Sequence, residues 1–225
     1  MNRHSARLFG IFFILSFVSY ATGIELMSDL LNTQLQAFQV AENKVGFIIG
    51  AILIAVFHTL SNLGMVIIMF HVLQPVSHSL SLMYLVLGSF GTFLLTLGAV
   101  FLLLPIPISE ALDETSLHDA SFLSMLLTLS SSGNFYSYQL GMILWACGGL
   151  IFCSLLFKSK LVPVFFPIWG FLGYLIFIIG CGLELVGQAY GVILSIPGGL
   201  FEIILSIWLI AKGFKKPEVV KAVNV

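Results

Sequence analysis

The chain has 225 residues, of which 59% are hydrophobic and only 8% charged, against about 25% charged in ordinary soluble domains, so no water-soluble fold can hide its apolar surface. Its net charge of −1 provides no basic face for nucleic acid, and membrane lipid is the partner that this composition demands. Spans built as β-strands would alternate in polarity over about ten residues. The apolar runs here are apolar on all sides, so the class is all-α: one polytopic membrane domain, a six-transmembrane-helix bundle.

In chain order, the first span is expected over Leu8–Ile24, behind Arg3 and Arg7. Ser19-Tyr20-Ala21 has the small-x-small form of a leader cleavage site, but an uncleaved first helix completes the charge pattern below and is the expectation. The second span runs Val45–Leu73 and stops at Gln74-Pro75. The third, Leu80–Leu104, follows after a tight turn and stops at Pro105 and Pro107. Between it and the fourth span, Phe135–Phe157, lies a long segment in which Ser116-Leu117-His118-Asp119 reads as a capping box. Leu117, Ala120, Leu123, Leu126 and Leu127 then recur at helical spacing, which predicts a short interfacial helix in this outer loop, ended by the turn formers Ser130-Ser131-Ser132-Gly133-Asn134. The fifth span is expected over Val162–Leu183 and the sixth over Gly191–Ala211, broken at Pro197-Gly198-Gly199.

Lys and Arg in short loops set orientation. With the N-terminus inside, the inner side receives Arg3, Arg7, Lys158, Lys160, Lys212, Lys215, Lys216 and Lys221, leaving only Lys44 outside. Glu25, Asp29, Glu42, Glu110, Asp113, Glu114, Asp119 and Glu184 fall on the outer side. The expectation is therefore an N-in, C-in membrane protein with both termini cytoplasmic.

Leu60-Ser61-Asn62-Leu63-Gly64 through Phe70-His71-Val72-Leu73-Gln74-Pro75-Val76, then Leu161-Val162-Pro163, Trp169-Gly170-Phe171-Leu172-Gly173-Tyr174, Pro197-Gly198-Gly199-Leu200-Phe201-Glu202 and Trp208-Leu209-Ile210-Ala211-Lys212-Gly213 succeed one another in an order and spacing that resembles the bacterial membrane family catalogued as domain of unknown function 4386. The resemblance covers about Arg7 to Gly213 and implies six membrane helices with no established activity. It also implies a basic residue early in the third helix, where this chain has Gly88 and Ser89.

An ionisable group inside a bilayer costs about 2.5–3.5 kcal/mol at a helix centre on insertion scales, and so points to function or to a partner. Glu202, near the middle of the sixth span, must face the interior, be neutral or be paired. His58 and Asn62, four apart near the middle of the second span, share a helix face and a similar depth and are its expected partners. The three form a candidate ligand-binding or proton-titratable cluster. The alternative is a hydrogen-bonded contact between helices. Pro197, Gly198 and Gly199 add a helix break of the kind that coordinates substrates in transporters, or else a packing kink.

No cofactor is expected. A b-type haem needs two axial ligands at one depth, and His58 has no mid-membrane histidine opposite, His71 and His78 lying at the inner interface. Cys147, Cys153 and Cys181 have no metal-ligand spacing, and no catalytic motif is present. The leading functional expectation is a protein that binds or transports a small-molecule or proton ligand. A non-transporting accessory protein is second, and a membrane enzyme acting on lipid or quinone third.

Overall fold

In hydrocarbon every backbone N–H and C=O must be bonded within the chain, which a helix achieves segment by segment. The computed structural model describes residues 3–31, 37–111 and 117–215. Helix α1 (Arg3–Met27) tightens into a 3-10 turn, Ser28–Leu31. A short α2 (Ala37–Glu42) leads to the second span, made of α3 (Lys44–Ile52), a π-helical turn (Leu53–His58) and α4 (Thr59–Leu73). The third span, α5 (His78–Leu103), is followed directly by α6 (Pro105–Ala111). Pro105 does end the span, and it starts the next helix at the first position, where its missing N–H forfeits no bond. Helices α7 (Leu117–Ser159), α8 (Phe165–Leu185) and α9 (Gly191–Lys212) complete the chain. Six helical stretches are long and apolar enough to cross a membrane, and no strand occurs among the described residues.

Two expectations are corrected. The outer-loop helix is not separate: residues 117–159 are one helix of 43 residues, about 64 Å long at 1.5 Å per residue and about twice the thickness of the hydrocarbon core. The residues read as turn formers are helix-contact residues. A Cβ on Gly133 would stand 2.7 Å from the Phe101 ring, and one on Gly98 would stand 2.9 Å from Asn134 Nδ2, so small side chains let α7 lie close against α5. Leu123 and Leu127 are buried in protein and not in lipid headgroups. Ser116 of the capping box lies outside the described residues.

The second correction concerns the expected break at Pro197-Gly198-Gly199: α9 is continuous with Pro197 inside it. Its ring removes one backbone donor, but Gly198 packs so closely on Gly173 of α8 that a Cβ on Gly173 would meet Gly198 Cα at 2.9 Å. That contact holds the helix through the proline. In the second span Gly50 mediates a close approach to Gly23 and Met27, while Gly46 faces open space.

Each span packs on the next, and α1 packs on α9, so the six close into a ring. Gly10 allows the closure, since a Cβ there would sit 2.6 Å from the Ser206 carbonyl oxygen. At this end Arg3 and Arg7 donate to the Ala211 and Ile210 carbonyls (3.5 and 3.3 Å), which satisfies the last turn of α9, and Lys215 N–H reaches the Leu161 carbonyl (2.8 Å). We term this the basic end. At the far end Lys44 pairs with Glu110 at 2.6 Å.

The buried apolar residues form two cores. One, toward the basic end, includes Phe9, Met65, Tyr84, Phe152, Tyr174 and Leu205. The other, toward the far end, includes Met27, Leu30, Phe47, Ile54, Leu102 and Leu127. Residues from α8 and α9 join only the first.

Candidate functional site

Glu202 stands at the midpoint of α9 with 7% of its surface exposed. Its Oε1 accepts two hydrogen bonds, from the Tyr174 hydroxyl of α8 at 2.6 Å and from Trp145 Nε1 of α7 at 3.0 Å. The first has the length of a charge-assisted O–H···O contact. Glycines set this geometry. Gly173 precedes Tyr174, and Gly198 lies one turn before Glu202, so the Gly173–Gly198 contact fixes how far apart acid and hydroxyl stand. Gly149, one turn after Trp145, leaves room for the Tyr174 ring, whose atoms a Cβ there would meet at 2.5 Å. Among the described residues no donor reaches Glu202 Oε2.

Opposite lies a neutral arrangement. His58 closes the π-helical turn and is 5% exposed, and Asn62 one turn later is 3% exposed. The Thr92 hydroxyl of α5 donates to the Gly88 carbonyl at 2.8 Å, so its oxygen is the acceptor toward Asn62 Nδ2 at 3.3 Å. That assigns the amide: Nδ2 is the donor, and it also donates to His58 Nε2 at 3.0 Å. An accepting Nε2 leaves the ring proton on Nδ1, which is buried with no partner among the described residues. The π-helical turn gives His58 this setting, and the Thr59 hydroxyl reaches back to the Ile54 carbonyl within it (3.4 Å) while meeting Thr96 Oγ1 at 2.7 Å. Such single turns are frequent at functional positions.

A cavity of about 160 Å³ lies between these two walls. It is bordered by Phe13, Ser16, Phe17, Tyr20 and Ala21 of α1, His58, Asn62 of α4, Leu95 of α5, Tyr138, Met142 and Trp145 of α7, and Glu202. Along each of the first four spans the cavity residues fall between those of the two apolar cores. The Tyr20 ring lies 5.0 Å from the His58 ring and 6.1 Å from the Tyr138 ring, centroid to centroid.

The three residues singled out by sequence thus border one cavity, although His58 and Asn62 are not the hydrogen-bond partners of Glu202. Those partners are Tyr174 and Trp145, which sequence reasoning did not select. The available signal was that a phenol and an indole N–H inside a span each need an acceptor, and Glu202 is the acidic acceptor at mid-span. Pro197 and Gly199 do not border the cavity, and Gly198 acts through helix packing. Gly88, where the resemblance implied a basic residue, is buried beside Val66 and Trp145. No group of three or more His, Cys, Asp or Glu able to hold a metal occurs among the described residues.

The sequence pattern of the family described as domain of unknown function (DUF4386) matches residues 8–213, and the chain belongs to that family. No curated protein and no solved structure matches it.

Proposed function

We propose that this multi-pass membrane protein binds a small solute in the central cavity and moves it, or a proton, across the membrane, with Glu202, His58 and Asn62 as the working polar groups. The observation that carries this reading is a mid-span cavity that meets an uncapped carboxyl oxygen on one side and a buried imidazole–amide pair on the other. The two apolar cores bound the cavity toward either end, so passage requires one of them to part. The far-end core, built without α8 and α9, is the smaller barrier. Purified wild type and Glu202→Gln, matched in thermal stability, are to be compared in liposomes containing a pH dye under an imposed proton gradient. The expected outcome is proton flux in wild type and none in the variant. Equal flux in both removes Glu202 from the mechanism.

A second reading has its own support: both donors to Glu202 Oε1 come from neighbouring helices, so the carboxyl also fastens α7, α8 and α9 together. A wild type without flux and an unstable Glu202→Leu variant favour that structural role.

We also propose that the membrane is a bacterial inner membrane and that both termini are cytoplasmic. The asymmetry of Lys and Arg supports this, and the structure gathers Arg3, Arg7 and Lys215 at one end. Reporter fusions after Lys158 and Lys216 are expected to give cytoplasmic signals, and those near Gln36 and Ser116 external ones. An external signal at Lys158 rules this topology out.

A further inference from the structure

We infer that the cavity recognises a small organic cation, an alkylammonium ion, with Glu202 Oε2 as its counter-charge; this rests on the solute-binding reading above and names its ligand class. The argument is a census of the polar groups on the wall. Trp145 N–H is spent on Glu202 Oε1, the Asn62 amide donates to His58 and Thr92, and the Ser16 hydroxyl donates to the Phe13 carbonyl at 2.8 Å. The His58 Nδ1 hydrogen is enclosed by protein. What remains toward the lumen is acceptor: Glu202 Oε2, Asn62 Oδ1 and the Ser16 oxygen, with the Tyr20 and Tyr138 hydroxyls free to turn either way. Among the described residues no Lys or Arg borders the cavity.

A site of this composition offers an anion no positive charge and at most two tyrosine hydroxyl donors. A carboxyl in a low-dielectric interior is either protonated or matched by a compensating charge, and the described protein supplies no such charge to Oε2, so a cation in the cavity is what lets it ionise. Metal cations such as calcium require about six or more oxygen ligands, whereas this wall is mostly Phe, Tyr, Trp, Leu and Met. Aromatic rings around a carboxylate instead suit a weakly hydrated ammonium, which the ring quadrupoles attract. Size narrows the choice further, because an apolar cavity of about 150 Å³ accommodates benzene and this one measures about 160 Å³. Ligands of about six or seven non-hydrogen atoms match this volume.

Choline and its uncharged carbon isostere, dimethylbutanol, share one shape and differ in charge. Calorimetry on the purified full-length protein is expected to show choline binding at least tenfold more tightly than the isostere. Glu202→Gln is expected to abolish that preference while leaving isostere binding unchanged. Should Glu202→Gln fail to fold, Tyr20→Leu, which removes a ring from the wall without touching the donors to Glu202, is expected to weaken choline several-fold more than the isostere. Equal affinity of the two compounds overturns the cation assignment and leaves a neutral-solute site standing. Displacement of choline by equimolar sodium or potassium overturns the preference for an organic ion. If neither compound binds, the inference fails alone, since the liposome comparison of Glu202→Gln tests the broader reading independently.

Discussion

The two polar walls of the cavity solve the same problem with different chemistry. Glu202 places an ionisable acceptor in the middle of α9 and satisfies one oxygen with donors from two other spans, 57 and 28 residues away in the chain. His58 and Asn62 belong to one span and connect through Thr92 to the adjoining helix of a hairpin, with neutral groups throughout. The first wall closes long-range contacts and leaves Oε2 without a donor among the described residues. The second is local, and its donors are spent apart from His58 Nδ1–H. The difference separates a wall that keeps an acceptor open toward the cavity from one whose amide donors are spent within the protein.

Replacing Glu202 breaks the comparison most severely. Glu202→Leu strands the Tyr174 hydroxyl and Trp145 N–H in an apolar interior. Each unsatisfied buried donor costs about 1–3 kcal/mol, so with two stranded a loss of about 2–6 kcal/mol is expected from equilibrium unfolding in mixed detergent. Glu202→Gln keeps a carbonyl acceptor for both donors and loses only the charge assistance, an expected drop of about 1 kcal/mol. A Leu variant as stable as wild type contradicts the role of Oε1 as the fastener of α7, α8 and α9. The neutral wall is expected to matter less. Asn62→Leu removes the bonds to His58 and Thr92, and side-chain hydrogen bonds between membrane helices average about 0.6 kcal/mol. A loss larger than that of Glu202→Leu reverses the ranking of the walls.

Sequence made the spans legible because twenty-residue apolar runs leave the chain no other option in lipid. Depth was legible too: His58 and Glu202 stand at the midpoints of their spans. What could not be read was azimuth. The π-helical turn at Leu53–His58 changes which way the second span faces after it, and no residue in that run announces it. Tyr174 and Trp145 reach Glu202 because Gly173, Gly198 and Gly149 bring backbones together, a contact that depends on which helices are neighbours. Ser130 to Asn134 misled because residues that end an unpacked helix become contact points where another helix lies against them, as Gly133 and Asn134 do against α5. Pro197 misled because at mid-span the unbonded backbone groups of a break are too costly, so the proline is carried within the helix.

Thr59→Val sharpens the comparison at its smallest scale. The substitution keeps the branched shape and removes the hydroxyl that bridges to Thr96 and reaches the Ile54 carbonyl. Thr96 keeps its bond to the Thr92 carbonyl at 3.1 Å, so one strong contact and one long one are lost. The π-helical turn has other supports: Ile54 is 1% exposed in the far-end core, and His58 remains bonded to Asn62. Stability is therefore expected to fall by no more than about 0.5 kcal/mol, below the average for an interhelical hydrogen bond. Hydrogen exchange through the turn reads the local effect directly, because a turn held by packing keeps its protection when the hydroxyl is gone. If Thr59→Val destabilises more than Asn62→Leu, or protection from Leu53 to His58 collapses, the hydroxyl and not the packing of Ile54 holds the turn. In that case the His58 wall depends on one side chain at its edge and is no more robust than the wall built on Glu202.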